Sequence, residues 1–316
     1  MANTIKSLEA ANASGFEDRT PLLDKPEELR RVAQENGFLF FRGLLPTGPI
    51  LELRRQILEV VERHGWLKQG ADLMEGIADL SAVAAADTRD ESLKYIGVTR
   101  DAYRDIQCVE LFHTLPHHPR LIALYETLLE AAVLPHPRHI ARVLLPAPSF
   151  APTPPHQDYV YIQGTHNFWT CWFPLGDCPA ELGGLSVLRG SHREKVLDVT
   201  NARGAGGRES ILCNKEYEWV KGDYQCGDII TFPSHMLHKA LPNQLGDRIR
   251  LSCDLRYQSA HEEIEEKSLV PHIGIAPWEE IYRGWKNEKL QYYWNRNSLS
   301  FSPWDNSLLQ SKEKIC

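Results

Sequence analysis

The sequence has little that would support a disulfide-rich or zinc-binding fold. Its seven cysteines show no CxxC pair; they are Cys108, Cys171, Cys178, Cys213, Cys226, Cys253 and Cys316. An odd number with such irregular spacing argues against a disulfide framework and against a zinc knuckle. The pattern predicts reduced, mostly buried thiols, which suits an enzyme of a reducing compartment.

Targeting segments and basic tracts are also missing. The first residues lack the charged and then apolar pattern of a secretory signal, and no apolar run approaches the length of a membrane span. Acidic residues outnumber basic ones by 42 to 35, for a formal charge of −7, and the basic residues form no stripe. We therefore expect a cytoplasmic protein with a small-molecule substrate, without a nucleic-acid or membrane partner. Nothing in the sequence indicates an oligomeric state.

What is present is an ordinary globular composition, with 42% apolar and 24% charged residues over 316 residues. We predict one catalytic domain over residues 1–316. Its first part, residues 1–135, is expected to be mainly helical. Capping signals and apolar spacing predict helices from Asp24 to Gly37, from Thr47 to Gly65 and from His118 to Ala132. Residues 70–100 suggest either a lid or an ordinary surface connection.

From residue 136 to 260 the pattern changes to short runs of branched and aromatic residues separated by Pro and Gly, which predicts an antiparallel sandwich or barrel. The predicted strands are 142–145, 159–162, 168–173, 185–188, 228–232 and 248–252. A lid insertion is expected at about 193–226, with the glycines between Gly204 and Gly207 in a flexible loop. Residues 261–316 form a tail whose aromatic side chains are expected to pack from a helix.

Two segments, about eighty residues apart, carry metal-ligating side chains. His156 and Asp158 form the HxD of the chain, and two residues of separation at a strand end would point both side chains to one side. Two histidines and one carboxylate are the ligands with which non-haem iron oxygenases hold Fe(II) on one face, leaving positions open for other ligands. The other His-x-carboxylate sequences, beginning at His192 and His261, lie in a turn and in an acidic run and are weaker candidates.

The second segment offers two histidines for the third ligand position. His235 and His238 are three residues apart, so on one strand they would face opposite ways and only one could join the metal pair. We favour His238.

The region from Arg142 to Tyr257 resembles the phytanoyl-CoA hydroxylase-like (PhyH-like) family of Fe(II)/2-oxoglutarate dioxygenases. The matching pieces, in order, are His156-Gln157-Asp158, Trp172 before Gly183-Gly184, Gly190-Ser191-His192, Gly227-Asp228, and His238 followed five residues later by Asn243. The resemblance implies a mainly β core in a double-stranded β-helix, a jelly-roll or cupin-like barrel, between the helical N-terminal region and the tail.

The resemblance also implies a role for a basic strand after the distal histidine. There the family places an arginine that pairs with the far carboxylate of 2-oxoglutarate, a bidentate match that lysine does not reproduce. Arg248 is ten residues after His238 and is favoured, while Arg250, with Ser252 in an Arg-x-Ser pattern, is the alternative because strand alternation puts both arginines on one face. Trp172 is expected either to line the keto-acid pocket or to lie in the core.

The predicted function is therefore that of a 2-oxoglutarate-dependent non-haem iron dioxygenase, with Fe(II), 2-oxoglutarate and dioxygen as cofactors and co-substrates and His156, Asp158 and His238 as catalytic metal ligands. Hydroxylation of an aliphatic carbon of a small organic substrate, with release of succinate and CO2, is the main expectation. The presence of Asp158 favours this over halogenation. The alternatives are desaturation, cyclisation or endoperoxide formation in natural-product biosynthesis, a non-catalytic metal- or ligand-binding barrel, and a zinc hydrolase.

Overall fold

A computed structural model describes residues 15–85, 96–146, 150–213 and 216–314 of the chain. Its α-helices in these ranges are α1 (Pro26–Asn36), α2 (Thr47–Arg63), α3 (Leu80–Ala85), α4 (Arg100–Gln107), α5 (Glu110–Thr114), α6 (Pro119–Leu129), α7 (Tyr159–Ile162) and α8 (Trp278–Ile281). Short 3-10 helices cover Thr20–Leu22, Leu73–Glu75, Leu115–His117, Ala180–Leu182, Ser191–Arg193, Glu266–Leu269, His272–Gly274, Glu288–Leu290, Tyr293–Arg296 and Asn306–Leu309.

The three long helices lie where the capping signals predict them. Pro26 opens α1, and Gly37 ends it in the left-handed conformation that a glycine adopts without steric cost. Helix α2 buries Ile50, Leu53 and Ile57 along one face. The suspected lid between residues 70 and 100 contains α3 but falls partly outside the described residues.

The strands are β1 (Leu39–Phe41), β2 (Val133–Pro135), β3 (Ile140–Leu144), β4 (Trp169–Pro174), β5 (Leu185–Leu188), β6 (Val199–Asn201), β7 (Arg208–Ser210), β8 (Trp219–Val220), β9 (Ile229–Pro233), β10 (His238–Ala240) and β11 (Arg250–Ser259). The large sheet runs β1-β9-β4-β11, with β2 and β3 both pairing with the far edge of β11. A smaller sheet has the order β10-β5-β8, and β6 pairs with β7. Every one of these pairings is antiparallel.

The large sheet is covered on one face by the N-terminal helices and on the other by the small sheet. Apolar side chains of α1, α2, α4 and α6 form one continuous buried cluster with residues of β3, β4 and β11. A second cluster joins Phe40, Trp172 and Phe232 of the large sheet to Leu185 and Val187 of the small one. This arrangement is a jelly-roll fold, and it leaves the functional residues between the two sheets.

Two local predictions are wrong. Residues 159–162, expected as a strand, form the single helical turn α7, which Gln163 ends with a positive φ of 56°. The tail is a series of short turns, mostly 3-10, instead of one helix. Its aromatic residues nevertheless pack as expected, because Trp278, Tyr282 and Trp285 share a buried cluster with Leu134.

The cysteines partly follow the prediction. Cys108, Cys171, Cys178, Cys226 and Cys253 are free thiols, three of them buried. Cys213 takes part in a disulfide bond, so the expectation of reduced thiols is wrong at that position. Among the described residues, the helices are too short or too polar to cross a bilayer.

The Gly-Asp pair before β9 ties the N-terminal region to the large sheet. The buried Asp228 carboxylate accepts hydrogen bonds from the backbone of Gly43 at 2.9 Å and of Gln225 at 2.8 Å, and it pairs with Arg42. Gly227 has a φ of 101°, and a Cβ at this position would lie 2.6 Å from the backbone oxygen of Leu45. Only glycine fits this close approach.

We therefore expect Gly227→Ala to lower the free energy of unfolding by about 2 kcal/mol or more, because both the positive φ and the contact with a backbone oxygen must be relieved. Gly48→Ala is the matched control, since a Cβ there meets nothing within 4 Å and alanine favours the helix. Urea unfolding followed by tryptophan fluorescence measures both. Equal midpoints for the two variants would contradict this account of the Gly227 contact.

Candidate active site

Two distant segments meet at a pair of reciprocal backbone hydrogen bonds. The amide of His156 donates to the carbonyl of His238 at 3.0 Å, and the amide of His238 donates to the carbonyl of His156 at 3.1 Å. The two residues form an isolated antiparallel bridge at the start of β10. Directly paired residues place their side chains on the same side, and the imidazole centroids are 4.1 Å apart.

Asp158 completes a compact group of potential metal ligands. Its Oδ1 lies 3.5 Å from Nε2 of His156 and 3.7 Å from Nε2 of His238. One ligand atom from each of the three buried side chains lies within 4.8 Å of the others. Two imidazole nitrogens and one carboxylate oxygen at these separations surround a space suited to a single divalent ion of the non-haem iron type.

Each imidazole is oriented by its other nitrogen. Nδ1 of His156 lies 2.8 Å from the carbonyl oxygen of Pro154, and Nδ1 of His238 lies 3.0 Å from that of Met236. Since a carbonyl only accepts, both Nδ1 atoms must carry the proton, which leaves the lone pairs of Nε2 directed at the metal position. Burial lowers the pKa of His238 to about 3, so its imidazole is neutral at physiological pH.

Asp158 is held by its second oxygen. Oδ2 accepts a hydrogen bond from the Thr170 hydroxyl at 2.5 Å and from the Arg256 guanidinium at 3.0 Å. Burial by itself would raise the pKa of the carboxyl, but the Arg256 guanidinium holds the pKa well below its usual range. The carboxylate is therefore ionised and fixed, with Oδ1 free to bind a cation.

Strand β11 contributes polar side chains to the space between the two sheets. Its residues alternate, so that the apolar members Leu251, Cys253, Leu255 and Tyr257 pack in the helix-covered core. The intervening polar residues Arg250, Ser252, Asp254 and Arg256 are all buried. Arg250, Asp254 and Arg256 line a small cavity together with the three candidate ligands.

Arg250 and Trp172 lie at one end of this cavity. The guanidinium carbon of Arg250 is 5.7 Å from the centre of the Trp172 ring, and Nη1 donates to the hydroxyl of Ser252. Nε of Arg250 is buried without a hydrogen-bond partner, and no carboxylate of the described residues lies within ion-pair distance of this side chain. Burial lowers the pKa of Arg250. A buried guanidinium in this state is suited to bind an anion.

Arg248 and Arg250, the two arginines considered from the sequence, lie in different surroundings. Arg248 is exposed and pairs by backbone with Ile77, before β11 begins, so it lies outside the cavity that Arg250 lines. The two arginines do not share a face because Arg248 precedes the regular strand. Asn243 donates to the carbonyl of Arg248 at 2.7 Å and shapes this turn.

His235 lies apart from the ligand group. It occupies a turn between β9 and β10, with Nε2 2.8 Å from Nδ1 of His166 and Nδ1 3.1 Å from the carbonyl of Glu194. The sequence argument treated residues 235–238 as one strand. His238 is the histidine that lies beside His156 and Asp158, whereas the turn holds His235 away from them.

A larger cavity of about 330 Å³ opens on the other side of His156 and Asp158. Arg142, Thr153 and Arg256 line both cavities. The other walls of the larger one are Arg138, Ile140, Tyr161, Ile162, Ala205, Gly206, His272, Ile273 and Leu309. The metal position thus lies between two compartments, as an enzyme with a co-substrate and a separate substrate requires.

Of the polar residues that follow the HxD segment, only some face the site. Tyr161 lines the larger cavity, and its ring centre is 5.6 Å from that of His156. Thr170 contacts Asp158 directly. Tyr159 instead stacks on His166, and Gln163 exchanges hydrogen bonds with the backbone of Asp305 in the tail.

Sequence reasoning missed Arg256, Arg138 and His272. Arg256 could have been found, because it is an even number of residues from Arg250 and so shares its face of β11. Arg138 lies in the loop between β2 and β3, and His272 begins the 3-10 helix His272–Gly274. No local pattern marks either residue. Part of the predicted lid insertion does reach the site, since Ala205 and Gly206 form cavity wall.

Comparison with known proteins finds a matching family and sequence relatives. The family model described as phytanoyl-CoA dioxygenase (PhyH) matches residues 33–251. A 1-deoxypentalenic acid 11-beta-hydroxylase of Streptomyces arenae is 29% identical over 272 residues, covering 82% of this chain and 90% of that protein. The enzyme of the same name from Streptomyces exfoliatus is 28% identical over 277 residues, with the same coverage.

Solved structures share the fold. The epimerase SnoN in complex with Fe3+, alpha ketoglutarate and nogalamycin RO is 20% identical, with a TM-score of 0.51 over 76% of this chain and 86% of that one. EvdO2 from Micromonospora carbonacea var. aurantiaca, complexed with 2-oxoglutarate, is 18% identical, with a TM-score of 0.51 over 78% and 93%. At these identities the likeness concerns the jelly-roll architecture.

We expect His238→Ala to weaken binding of Fe(II) by about a hundredfold or more, because it removes a ligand, whereas loss of an outer-sphere partner alone costs about tenfold to a hundredfold. His235→Ala is the matched control and should bind the ion like the unaltered protein. Anaerobic equilibrium dialysis, with iron determined by a chromogenic chelator, measures both affinities. Retention of iron by His238→Ala together with its loss from His235→Ala would move the third ligand to His235.

Proposed function

The chain belongs to the phytanoyl-CoA dioxygenase (PhyH) family, and from this premise we propose that it is an Fe(II)- and 2-oxoglutarate-dependent hydroxylase of a small organic substrate. The observation that carries the proposal is the buried group of His156, Asp158 and His238 with a second, unpaired cationic site beside it. A metal-binding scaffold would have no need of the second site.

The residues present fit an iron ion. Two Nε2 lone pairs and Oδ1 of Asp158 converge from one side, so an octahedral ion would keep its remaining positions towards the cavities. The Arg256 and Thr170 contacts fix the carboxylate before any ion arrives. A carboxylate retained at this position occupies the place that a halide would need, which favours hydroxylation over halogenation.

Arg250 is the residue that we assign to the far carboxylate of 2-oxoglutarate, in place of the Arg248 favoured by the sequence. It lies in the cavity that also contains the three candidate ligands, and its buried Nε has no hydrogen-bond partner. Ser252 accepts from Nη1 and so orients the guanidinium, while the buried Trp172 closes the wall beside it. The keto acid would thereby extend from the metal towards Arg250.

When bound, iron and 2-oxoglutarate supply, with dioxygen, the oxidising power needed to hydroxylate an unactivated carbon, and succinate and CO2 are released. The chain's own residues bind these groups, orient the substrate and shield it from water. Tyr161 and Ile162 lie on the substrate side of His156 and exclude water from the target carbon. The relatives named as hydroxylases of 1-deoxypentalenic acid support hydroxylation of an aliphatic carbon skeleton. A cytoplasmic location stays a prediction.

The function is tested by loading the protein with Fe(II) and 2-oxoglutarate without oxygen, then admitting air and measuring succinate. We expect a weak visible absorption band before air and slow succinate formation even without substrate. The Asp158→Ala variant, which removes one ligand, is the negative control. If the unaltered protein shows neither the absorption band nor succinate, the proposed function is wrong and the fold is that of a binding module.

Arg250→Ala is expected to raise the dissociation constant of 2-oxoglutarate by about tenfold to a hundredfold, the effect of losing a hydrogen-bonded charge pair. Arg250→Lys should recover only part of this, because lysine lacks the planar fork. Arg248→Ala is the matched control and should leave the affinity unchanged. Anaerobic titration of the absorption band measures all three. An unchanged affinity in Arg250→Ala with a large loss in Arg248→Ala would restore the original assignment.

A further inference from the structure

The larger cavity contains one cation that the proposed chemistry leaves unused. Three arginines line it, and two of them have carboxylate partners. Arg142 Nε donates to Asp254 at 2.8 Å, and Arg256 donates to Asp158 at 3.0 Å. Within the described ranges, Arg138 has no carboxylate within ion-pair distance, because the nearby Asp254 and Asp158 pair with Arg142 and Arg256.

The surroundings of Arg138 leave its guanidinium short of acceptors. Its Nη1 donates a long hydrogen bond of 3.4 Å to the carbonyl of Tyr161, and its buried Nε has no partner. Burial and then the nearby charge of Arg256 lower the pKa of Arg138 to about 10, so it remains charged at neutral pH. Glu265 acts on it from a distance, but that carboxylate caps the backbone of Lys267 at 2.7 Å.

Binding of iron and 2-oxoglutarate would not supply the counter-charge that Arg138 lacks. A divalent iron ion and the dianion of 2-oxoglutarate cancel, and Arg250 faces the keto-acid compartment on the other side of the ligands. Arg138 is half-buried, and its buried Nε has no hydrogen-bond partner. It therefore remains a cation without a counter-charge, and an anion that pairs with it would be stabilising.

The rest of the cavity wall is largely hydrocarbon. Ile140, Ile162, Ala205, Ile273 and Leu309 line it. Its volume of about 330 Å³ is at the small end of the range for ligand pockets, about 300–1,000 Å³. This space suits a compact apolar skeleton with one anionic group and is too small to enclose a nucleotide-bearing thioester.

We propose that the substrate is a compact apolar carboxylic acid whose carboxylate pairs with Arg138, so that this residue orients the skeleton with a carbon towards the metal position. The proposal rests on the proposed function and adds the substrate class to it. The name of the Streptomyces relatives, hydroxylases of an acid, is consistent with this class. Arg138 thus acts as a specificity residue, since a neutral analogue would leave the guanidinium unpaired.

The test uses adamantane-1-carboxylate and its neutral counterpart adamantane-1-carboxamide as probes of equal shape. Each is titrated calorimetrically into protein loaded anaerobically with Fe(II) and saturating 2-oxoglutarate, so that Arg250 is already occupied. The acid is expected to bind about tenfold to a hundredfold more tightly than the amide. In Arg138→Gln this preference should disappear, while Arg138→Lys should keep part of it.

Arg203→Gln is the matched control, because Arg203 lines a separate open cavity with Lys221 and Trp219. It should leave the preference for the acid unchanged. A role of Arg138 in packing alone would lower the affinity of both probes together and would not alter their ratio. Binding of 2-oxoglutarate and uncoupled succinate formation are measured alongside in the unaltered protein and in Arg203→Gln. Absence of both would mean failure of the proposed function, whereas their presence with equal binding of the two probes would mean failure of this inference alone.

Three results would overturn the inference. They are equal binding of acid and amide by the unaltered protein, absence of binding of the acid at millimolar concentration, and a preference for the acid that survives Arg138→Gln. Tight binding of an acyl-coenzyme A that is lost in Arg203→Gln would point instead to a substrate whose phosphates occupy the open cavity.

Discussion

The backbone bridge between His156 and His238 is the contact on which the whole site depends. The HxD segment and β10 are far apart in sequence, and two reciprocal hydrogen bonds bring them into register. Because directly opposed residues of an antiparallel pair project together, the register alone places both imidazoles side by side. A shift by one residue would turn one of them away. The metal position is thus a consequence of strand pairing.

The structure fixes this register from several directions. The hydroxyl of Ser191 accepts from the amide of Leu237 at 2.9 Å, just before the distal histidine. Gln157 lies between the two HxD ligands, and its side chain donates to the carbonyl of His235 at 2.9 Å and accepts from the amide of Leu197 at 2.8 Å. These buried contacts give the Gly-Ser-His and HxD pieces a structural role beside the ligands themselves. Further backbone hydrogen bonds flank the bridge, from the amide of Ala240 to the carbonyl of Thr153 and from the amide of Tyr159 to the carbonyl of Ser234, both at 3.1 Å.

The sequence was most informative where the signal is local or periodic. Gly37 predicted the end of α1, and the HxD with its distal histidine predicted the ligand group. Prediction failed at residues 159–162, because a run of four residues rich in tyrosine and branched side chains fits a strand, whereas tertiary contacts make it a helical turn. Sequence reasoning favoured Arg248 over Arg250 and put both on one face, since only the pairing of β11 shows where the regular strand begins. Residues such as Arg138 reach the site from distant loops and leave no periodic trace.

Strand β11 determines how the two compartments are arranged. Arg250 and Arg256 lie six residues apart on the same face, so their backbones are separated by roughly 20 Å at about 3.3 Å per residue. Arg250 faces the keto-acid side, whereas Arg256 lines both cavities and holds Asp158. The spacing between co-substrate, metal and substrate is therefore fixed within a single rigid element. The substrate walls come partly from β3 and α7 and partly from loops and the β6–β7 hairpin, and the loop and hairpin parts can vary without disturbing the metal position. Such a division lets one fold present different substrates to the same chemistry.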